Sequence, residues 1–330
     1  MKSYHDVAGD GGSDVLGQVT AQRRAIEAAF SGVRRVIAVG SGKGGVGKST
    51  LTLGLARALT RRGRKVAILD ADLNGPSQAQ MAGVAASPWL PGADGLEPPR
   101  RRDGIAVVST GSVLAGGRPV EFDTVSHGDG HVWRATREFA LLAQLLATVR
   151  WGSLDALLVD LPPGAERTVH FAELLTGLAG DRCSFVLVTI PSEVARGVVA
   201  RSVTALAATG APLAGVIENM AGYWCRDCGA VRPLFPDSAA ADAPGAPGLV
   251  APLLGSVPFD PALAALADRG WPVDEEDGAA VAAIDAVAGR LLAALADPDA
   301  AGVGGPESEP VGAAGQTPAA TAGSSSEEAR

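Results

Sequence analysis

The stretch Val36-Ile37-Ala38-Val39-Gly40-Ser41-Gly42-Lys43-Gly44-Gly45-Val46-Gly47-Lys48-Ser49-Thr50-Leu51 decides how the rest of this 330-residue chain is read. Four apolar residues run into glycines, and Leu51, Leu55 and Leu59 then recur at helical spacing until Gly63 stops the helix. Between strand and helix, Gly42 to Ser49 fits G-x-x-x-x-G-K-[ST]. Its glycines let successive backbone N–H groups turn inward around phosphate oxygens, and the helix N-terminus adds partial positive charge. The pattern assigns Gly42, Lys43, Gly44, Gly45, Val46, Gly47, Lys48 and Ser49 to a nucleotide phosphate loop, with Thr50 the next residue expected at the nucleotide. Lys48 is expected to reach the β- and γ-phosphates, and the Ser49 hydroxyl to bind Mg²⁺.

Outward from this loop the strand–helix alternation continues. Apolar runs without alternation lie at Val66–Leu69, Ile105–Val108, Ala156–Val159, Phe185–Ile190 and Leu213–Ile217. Helical patterns cover about Val19–Phe30, Thr136–Val149, Glu193–Ala208, Pro261–Asp268 and Ala279–Leu295. Such strands predict an α/β fold, a mostly parallel sheet flanked by helices on both faces, in the manner of P-loop NTPases. The expected organisation is a polar and helical extension over 1–32, an ATPase domain over 33–297 and a disordered acidic tail over 298–330. The stretch Gly75–Gly104, with five prolines and the triplet Arg100-Arg101-Arg102, reads as a solvated surface excursion.

Composition excludes several classes. Hydrophobic residues make up 47%, ample for a core, yet no uninterrupted apolar run approaches the ~18–20 residues of a membrane span. Met1 to Asp6 holds no apolar signal segment, and three cysteines make no disulfide framework, so a cytoplasmic location is expected. The net charge of −8 argues against a basic nucleic-acid surface. Most of it sits in the tail, where Asp297, Asp299, Glu307, Glu309, Glu327 and Glu328 face only Arg330.

Two strand-end carboxylates complete the nucleotide chemistry. Asp160 closes the run Ala156–Val159 at the sheet edge that faces the loop, where a carboxylate can hold Mg²⁺ through water. Asp70 and Asp72 close the second strand at the same edge. Lys43 sharpens the class: K-G-G-x-G-K-[ST] resembles the deviant Walker A loops of MinD, ParA and nitrogenase iron protein. In that class the early lysine reaches the partner subunit's nucleotide, somewhat like an arginine finger, and an aspartate at the position of Asp72 positions the attacking water. The resemblance therefore implies a homodimer and a catalytic set of Lys43, Lys48 and Asp72, with Asp70 in support.

Cys225-Arg226-Asp227-Cys228 supplies two thiolates, half of a tetrahedral zinc or iron–sulfur ligand set. Taken alone it fits a shared cluster, a zinc site or a redox pair. A two-fold axis brings two such pairs together and yields four thiolates. Cys183, ahead of an apolar strand, reads as a buried small residue.

The combination resembles the Mrp/ApbC family of ATP-binding iron–sulfur cluster carriers. The resemblance rests on the phosphate loop, Asp70-Ala71-Asp72-Leu73-Asn74-Gly75-Pro76-Ser77, Asp160-Leu161-Pro162-Pro163-Gly164, Glu218-Asn219-Met220 with Cys225 and Cys228, and Leu254-Gly255-Ser256-Val257-Pro258-Phe259-Asp260-Pro261. It implies a homodimer holding a [4Fe–4S] cluster between paired cysteines, slow ATP hydrolysis and transfer to apo iron–sulfur proteins, with cluster-assembly scaffold proteins as further partners. It also implies that Asn219 contacts adenine. The chain departs from the family's Thr-Gly-Asp at Ala165-Glu166-Arg167, and its usual Gly-rich stretch is replaced from Leu234 to Ser238. A MinD/ParA-like positioning ATPase is the main rival. The predicted C-terminal helix has Arg290 as its only base, and neither a membrane-binding helix nor a basic DNA surface is visible. An ATP-driven iron–sulfur reductase is the third reading.

Overall fold

The computed structural model describes residues 15–92, 95–112, 140–234, 251–274 and 278–296. The strands among the described residues, in chain order, are β1 (Val36–Ser41), β2 (Val66–Asp70), β3 (Leu90–Gly92), β4 (Gly95–Glu97), β5 (Ala106–Val108), β6 (Ala156–Asp160), β7 (Cys183–Thr189), β8 (Leu213–Cys225), β9 (Ala230–Arg232) and β10 (Leu253–Phe259). The helices are α1 (Val15–Ala29), α2 (Lys48–Arg61), α3 (Gln78–Met81), α4 (140–148), α5 (Ala165–Ala179), α6 (Glu193–Ala208), α7 (Pro261–Asp268) and α8 (Ala279–Ala296).

β1 lies between β6 and β7, and the sheet order is β10-β8-β7-β1-β6-β2-β5 with every neighbour parallel. Both faces are buried, which explains the absence of polar alternation. Ile37 and Val39 of β1 face α2, α7 and α8, whereas Val36 and Ala38 face α1, α4, α5 and α6. Apart from β8 and the start of the helix at 136–149, the predicted strands and helices recur with end shifts of at most four residues. Residues 1–14, the start of the predicted helix at 136–139, 235–238 of the departing stretch and the acidic tail lie outside the described residues. α8 is apolar and long enough, by composition, to cross a membrane. Here Ile284, Val287 and Leu291 pack into the core beside α2 and β10, while Asp285 pairs with Arg61 and Arg62.

Two readings change. β8 does not end at Ile217 but runs on to Cys225, with β9 folded back on it as a hairpin. The stretch from Gly75 to Gly104 is not a solvated excursion, for it carries α3 and the β3–β4 hairpin and buries Ala79, Ala82 and Val84. Arg101 is the sharpest correction. Its guanidinium is buried, donating to the carbonyls of Ala82 (2.8 Å) and Trp271 (3.1 Å) and pairing with Asp103. Aliphatic stem and fork tie the excursion to the segment after α7, while Arg100 and Arg102 stay exposed. Replacing Arg101 by Ala strands Asp103 and two carbonyls, so unfolding free energy should fall by about 3 kcal/mol in urea melts. Arg102→Ala should change it by less than about 0.5 kcal/mol.

Candidate functional site

The carboxyl ends of the parallel strands share one edge, and the chemistry collects there. β1 ends at Ser41, whose hydroxyl donates to the Lys43 carbonyl (3.0 Å) and tightens the entry to the loop. Gly45 and Gly47 have φ of 77° and 80°, the left-handed region that glycine tolerates best. At Gly47 a side chain would also collide with Asn219, since an added Cβ would sit 2.2 Å from Nδ2. The N–H groups of Gly44, Gly45, Val46 and Gly47 donate to no group among the described residues. A ring of unused donors ahead of a helix N-terminus fits phosphate oxygens, and α2 begins directly at Lys48.

Below the loop lies a buried polar cluster. Lys48 Nζ donates to Asp160 Oδ1 in a close ion pair, with side-chain exposures of 8% and 0%. Nζ also donates to Ser49 Oγ (3.4 Å), and Thr52 Oγ1 donates to Asp160 Oδ1 (3.3 Å). Asp160 Oδ2 accepts from Gln78 Nε2 (2.8 Å), which also donates to the Ser49 carbonyl (2.9 Å). Asp70 is buried one strand over. It accepts from the N–H groups of Asp72, Ser77 and Gln78 and from Ser109 Oγ, so it orders the chain immediately after β2. Burial, reinforced by the Asp160 charge, pushes its carboxyl up to about 7. Asp72 stands half-buried at the edge and accepts from the N–H of Gly75, three residues on (3.1 Å). Lys43 is half-buried in the loop. Ala165-Glu166-Arg167 opens α5 behind Gly164, whose N–H donates to the Ser41 carbonyl (3.0 Å).

The cysteines stand on the same edge, further out. After a register shift at Phe185, β8 pairs evenly with β7 from Gly215 to Glu218, then passes Asn219 and Met220 before reaching Cys225. Asn219 Nδ2 donates to the Val46 carbonyl (2.8 Å), fastening this strand to the phosphate loop. Met220 has φ of 55°, and the pairing with β10 shifts register past Val257, so the strand is bulged where it leaves the body of the sheet. Beyond it Tyr223 pairs with Arg232, Trp224 with Val231 and Cys225 with Ala230. The turn closes through Gly229 N–H to the Cys225 carbonyl (2.9 Å), with Gly229 at φ of 63°. Arg232 Nη2 lies 3.5 Å from Cys228 Sγ, and its guanidinium, with smaller help from Cys225 and the Ala230 N–H, holds that exposed thiol below its ordinary value. Cys183 is buried in β7, and burial pushes its thiol up to about 12. Among the described residues no group of three or more His, Cys, Asp or Glu is arranged to hold a metal. Tyr223, Val231 and Leu234 leave apolar surface exposed around the hairpin.

The structure thus brings Lys48, Ser49, Asp160, Asp70 and the loop glycines together, with Asn219 fastened to the loop. Gln78 was missed by sequence reasoning, because a glutamine after a Gly-Pro-Ser turn carries no motif.

A parallel α/β sheet with this loop defines the chain as a P-loop NTPase. The chain belongs to the NUBPL iron-transfer P-loop NTPase family, whose model matches residues 32–292. It is 36% identical to an iron–sulfur cluster carrier protein of Saccharolobus solfataricus, over 77% of this chain and 81% of that one. It is also 36% identical to the human cytosolic Fe–S cluster assembly factor NUBP2, over 80% and 94% respectively. Among solved structures, a nucleotide-binding protein of Archaeoglobus fulgidus in complex with ADP, with cobalt, superposes with a TM-score of 0.60 at 32% identity, over 78% of this chain and 94% of that one. The cell division ATPase MinD of Pyrococcus furiosus (TM-score 0.51, 21% identity, 79% and 99% covered) shares the fold.

Proposed function

We propose that this chain is an ATP-binding, slowly ATP-hydrolysing carrier that holds an iron–sulfur cluster between two copies of itself and passes it to apo-proteins in the cytoplasm. The observation that carries the reading is the β8–β9 hairpin. It presents two thiols at its tip, on a strand hydrogen-bonded to the phosphate loop, and offers no further ligand among the described residues. Two hairpins, each ringed by Tyr223, Val231 and Leu234, supply four thiolates and an apolar collar for a shared [4Fe–4S] cargo. Neither a positioning ATPase nor a DNA-bound one gives Cys225 and Cys228 any work.

The donor set fits Mg²⁺ and ATP. Gly42 to Thr50 would wrap the phosphates, Lys48 would move from Asp160 to the β- and γ-oxygens, and Ser49 Oγ with Asp160 would hold Mg²⁺. When bound, the ion neutralises charge developing on the transferred phosphoryl group. Asp72, at the open edge of the cluster, is our choice to orient the attacking water, and Asn219 to approach the base.

Anaerobic reconstitution with ferrous iron and sulfide tests the carrier reading. The expected product is a brown dimer holding about four irons per two chains, which activates an apo-enzyme that needs a [4Fe–4S] cluster. A colourless or zinc-loaded monomer would overturn it. For Lys43, the expectation is that Lys43→Ala lowers ATP turnover by at least about tenfold while nucleotide affinity changes less than about threefold. Equal turnover in variant and parent removes the cross-dimer role.

A further inference from the structure

Gln78 joins three parts of the nucleotide site that the chain supplies from separate segments. It is wholly buried at the start of α3, in the stretch after β2. Its own N–H donates to Asp70 Oδ2 (3.0 Å). Its Nε2 donates both to the Ser49 carbonyl and to Asp160 Oδ2. Both of those partners can only accept, so the orientation of the amide is fixed by its surroundings. Oε1 is then the remaining group. It is buried, and no described residue donates to it. Covalent geometry keeps it within about 2.3 Å of Nε2, hence within about 5 Å of Asp160 Oδ2. A buried amide oxygen without a donor is uncommon in a folded protein, and an unplaced water or ion is a standard resolution.

Asp160 explains what such a group is for. In this structure Oδ1 is taken by Lys48 and Thr52, and Oδ2 by Gln78. When Lys48 turns to phosphate, Oδ1 loses its cation and keeps only the Thr52 hydroxyl, while Oδ2 stays held by Gln78. The carboxylate therefore keeps one orientation, with a lone pair of Oδ1 left for the ion. We propose that Gln78 is a positioning residue for Mg²⁺: Nε2 fixes Asp160 against the start of α2, and Oε1 accepts from a water of the ion's hydration shell. The inference rests on the proposed nucleotide site and names a residue outside the phosphate loop and the strand-end carboxylates.

The test uses the full chain and a fluorescent ADP analogue, titrated with MgCl₂ and separately in excess EDTA. Gln78→Met keeps the volume and removes the amide. The expected result is a Mg²⁺ half-saturation raised about tenfold or more, with affinity in EDTA within about twofold of the parent. Gln78→Glu keeps an acceptor but loses the donor to Asp160, and its deficit should shrink as the pH falls and the new carboxyl takes up a proton. An unchanged Mg²⁺ half-saturation in Gln78→Met, or an equal loss in EDTA and in Mg²⁺, would overturn the proposal. Should Gln78→Met fail to fold, Gln78→Glu decides: a Mg²⁺ response equal to the parent's, or a deficit that does not change with pH, overturns it too. A parent chain whose nucleotide binding ignores Mg²⁺ would instead overturn the nucleotide site itself, before any variant is compared.

Discussion

After anaerobic reconstitution, a chain carrying Cys225→Ala and Cys228→Ala is expected to retain less than about a tenth of the parent's iron and sulfide, with nucleotide affinity unchanged within about twofold. The loss follows from valence and place. Each chain brings two thiols to the tip of a hairpin, and among the described residues no third His, Cys, Asp or Glu is arranged with them to hold a metal. Either single substitution leaves a two-copy site with two thiolates in place of four, too few for a cubane whose irons each need one. The fold should be indifferent, since Cys228 is exposed and Cys225 only partly covered, so the melting temperature should move little. Cys183→Ala is the control. That thiol sits inside β7, where burial holds it protonated, so iron retention should match the parent although the cavity lowers stability. Iron and sulfide retained in the double variant would remove the hairpin from the function altogether.

Lys48→Met should abolish ATP turnover, with a loss of at least about 10²-fold, because the proposed site loses the cation that would face the transferring phosphoryl group. It should also do something a purely catalytic lysine would not. In the nucleotide-free protein Lys48 neutralises Asp160, which has no exposure at all, and it tempers the repulsion between Asp160 and Asp70. Removing the cation leaves two buried carboxylates one strand apart, so stability should fall by about 3 kcal/mol near pH 8. The pH dependence has a definite sign. Asp70 binds its proton more tightly folded, at about 7, than unfolded, near 3.8. Its contribution to stability is therefore present at low pH and is lost as the pH rises through 7. The deficit of Lys48→Met should accordingly be smaller at pH 5 than at pH 8. A deficit independent of pH would mean that Asp70 does not take up its proton in this range.

How much of this was legible in the sequence depends on the physical origin of each feature. The parallel sheet was readable because both of its faces are covered, which writes unbroken apolar runs into β1, β2, β6 and β7. The phosphate loop was readable because its conformation demands glycine at fixed places, Gly45 and Gly47 among them. The onward run of β8 was not, since Glu218, Asn219 and Gly222 look like a strand's end until β9 is seen to pair with Tyr223, Trp224 and Cys225. Arg101 and Gln78 were hidden for a shared reason. Both are polar side chains made buriable by acceptors distant in sequence, the Trp271 carbonyl for one and Asp160 for the other. No local pattern records such partners.

The bond from Asn219 to the Val46 carbonyl has a mechanical consequence. From that bond to Cys225 the chain advances six residues, a span of roughly 20 Å if extended, with the bulge at Met220 as its pivot. A small tilt imposed at the short end becomes a larger sweep at the tip, as in any lever with unequal arms. In the proposed dimer, two such levers meeting tip to tip would need only a modest movement beside the nucleotide to change the gap between four sulfurs. A left-handed methionine costs about 1 kcal/mol, and it gives the lever a joint at a fixed point.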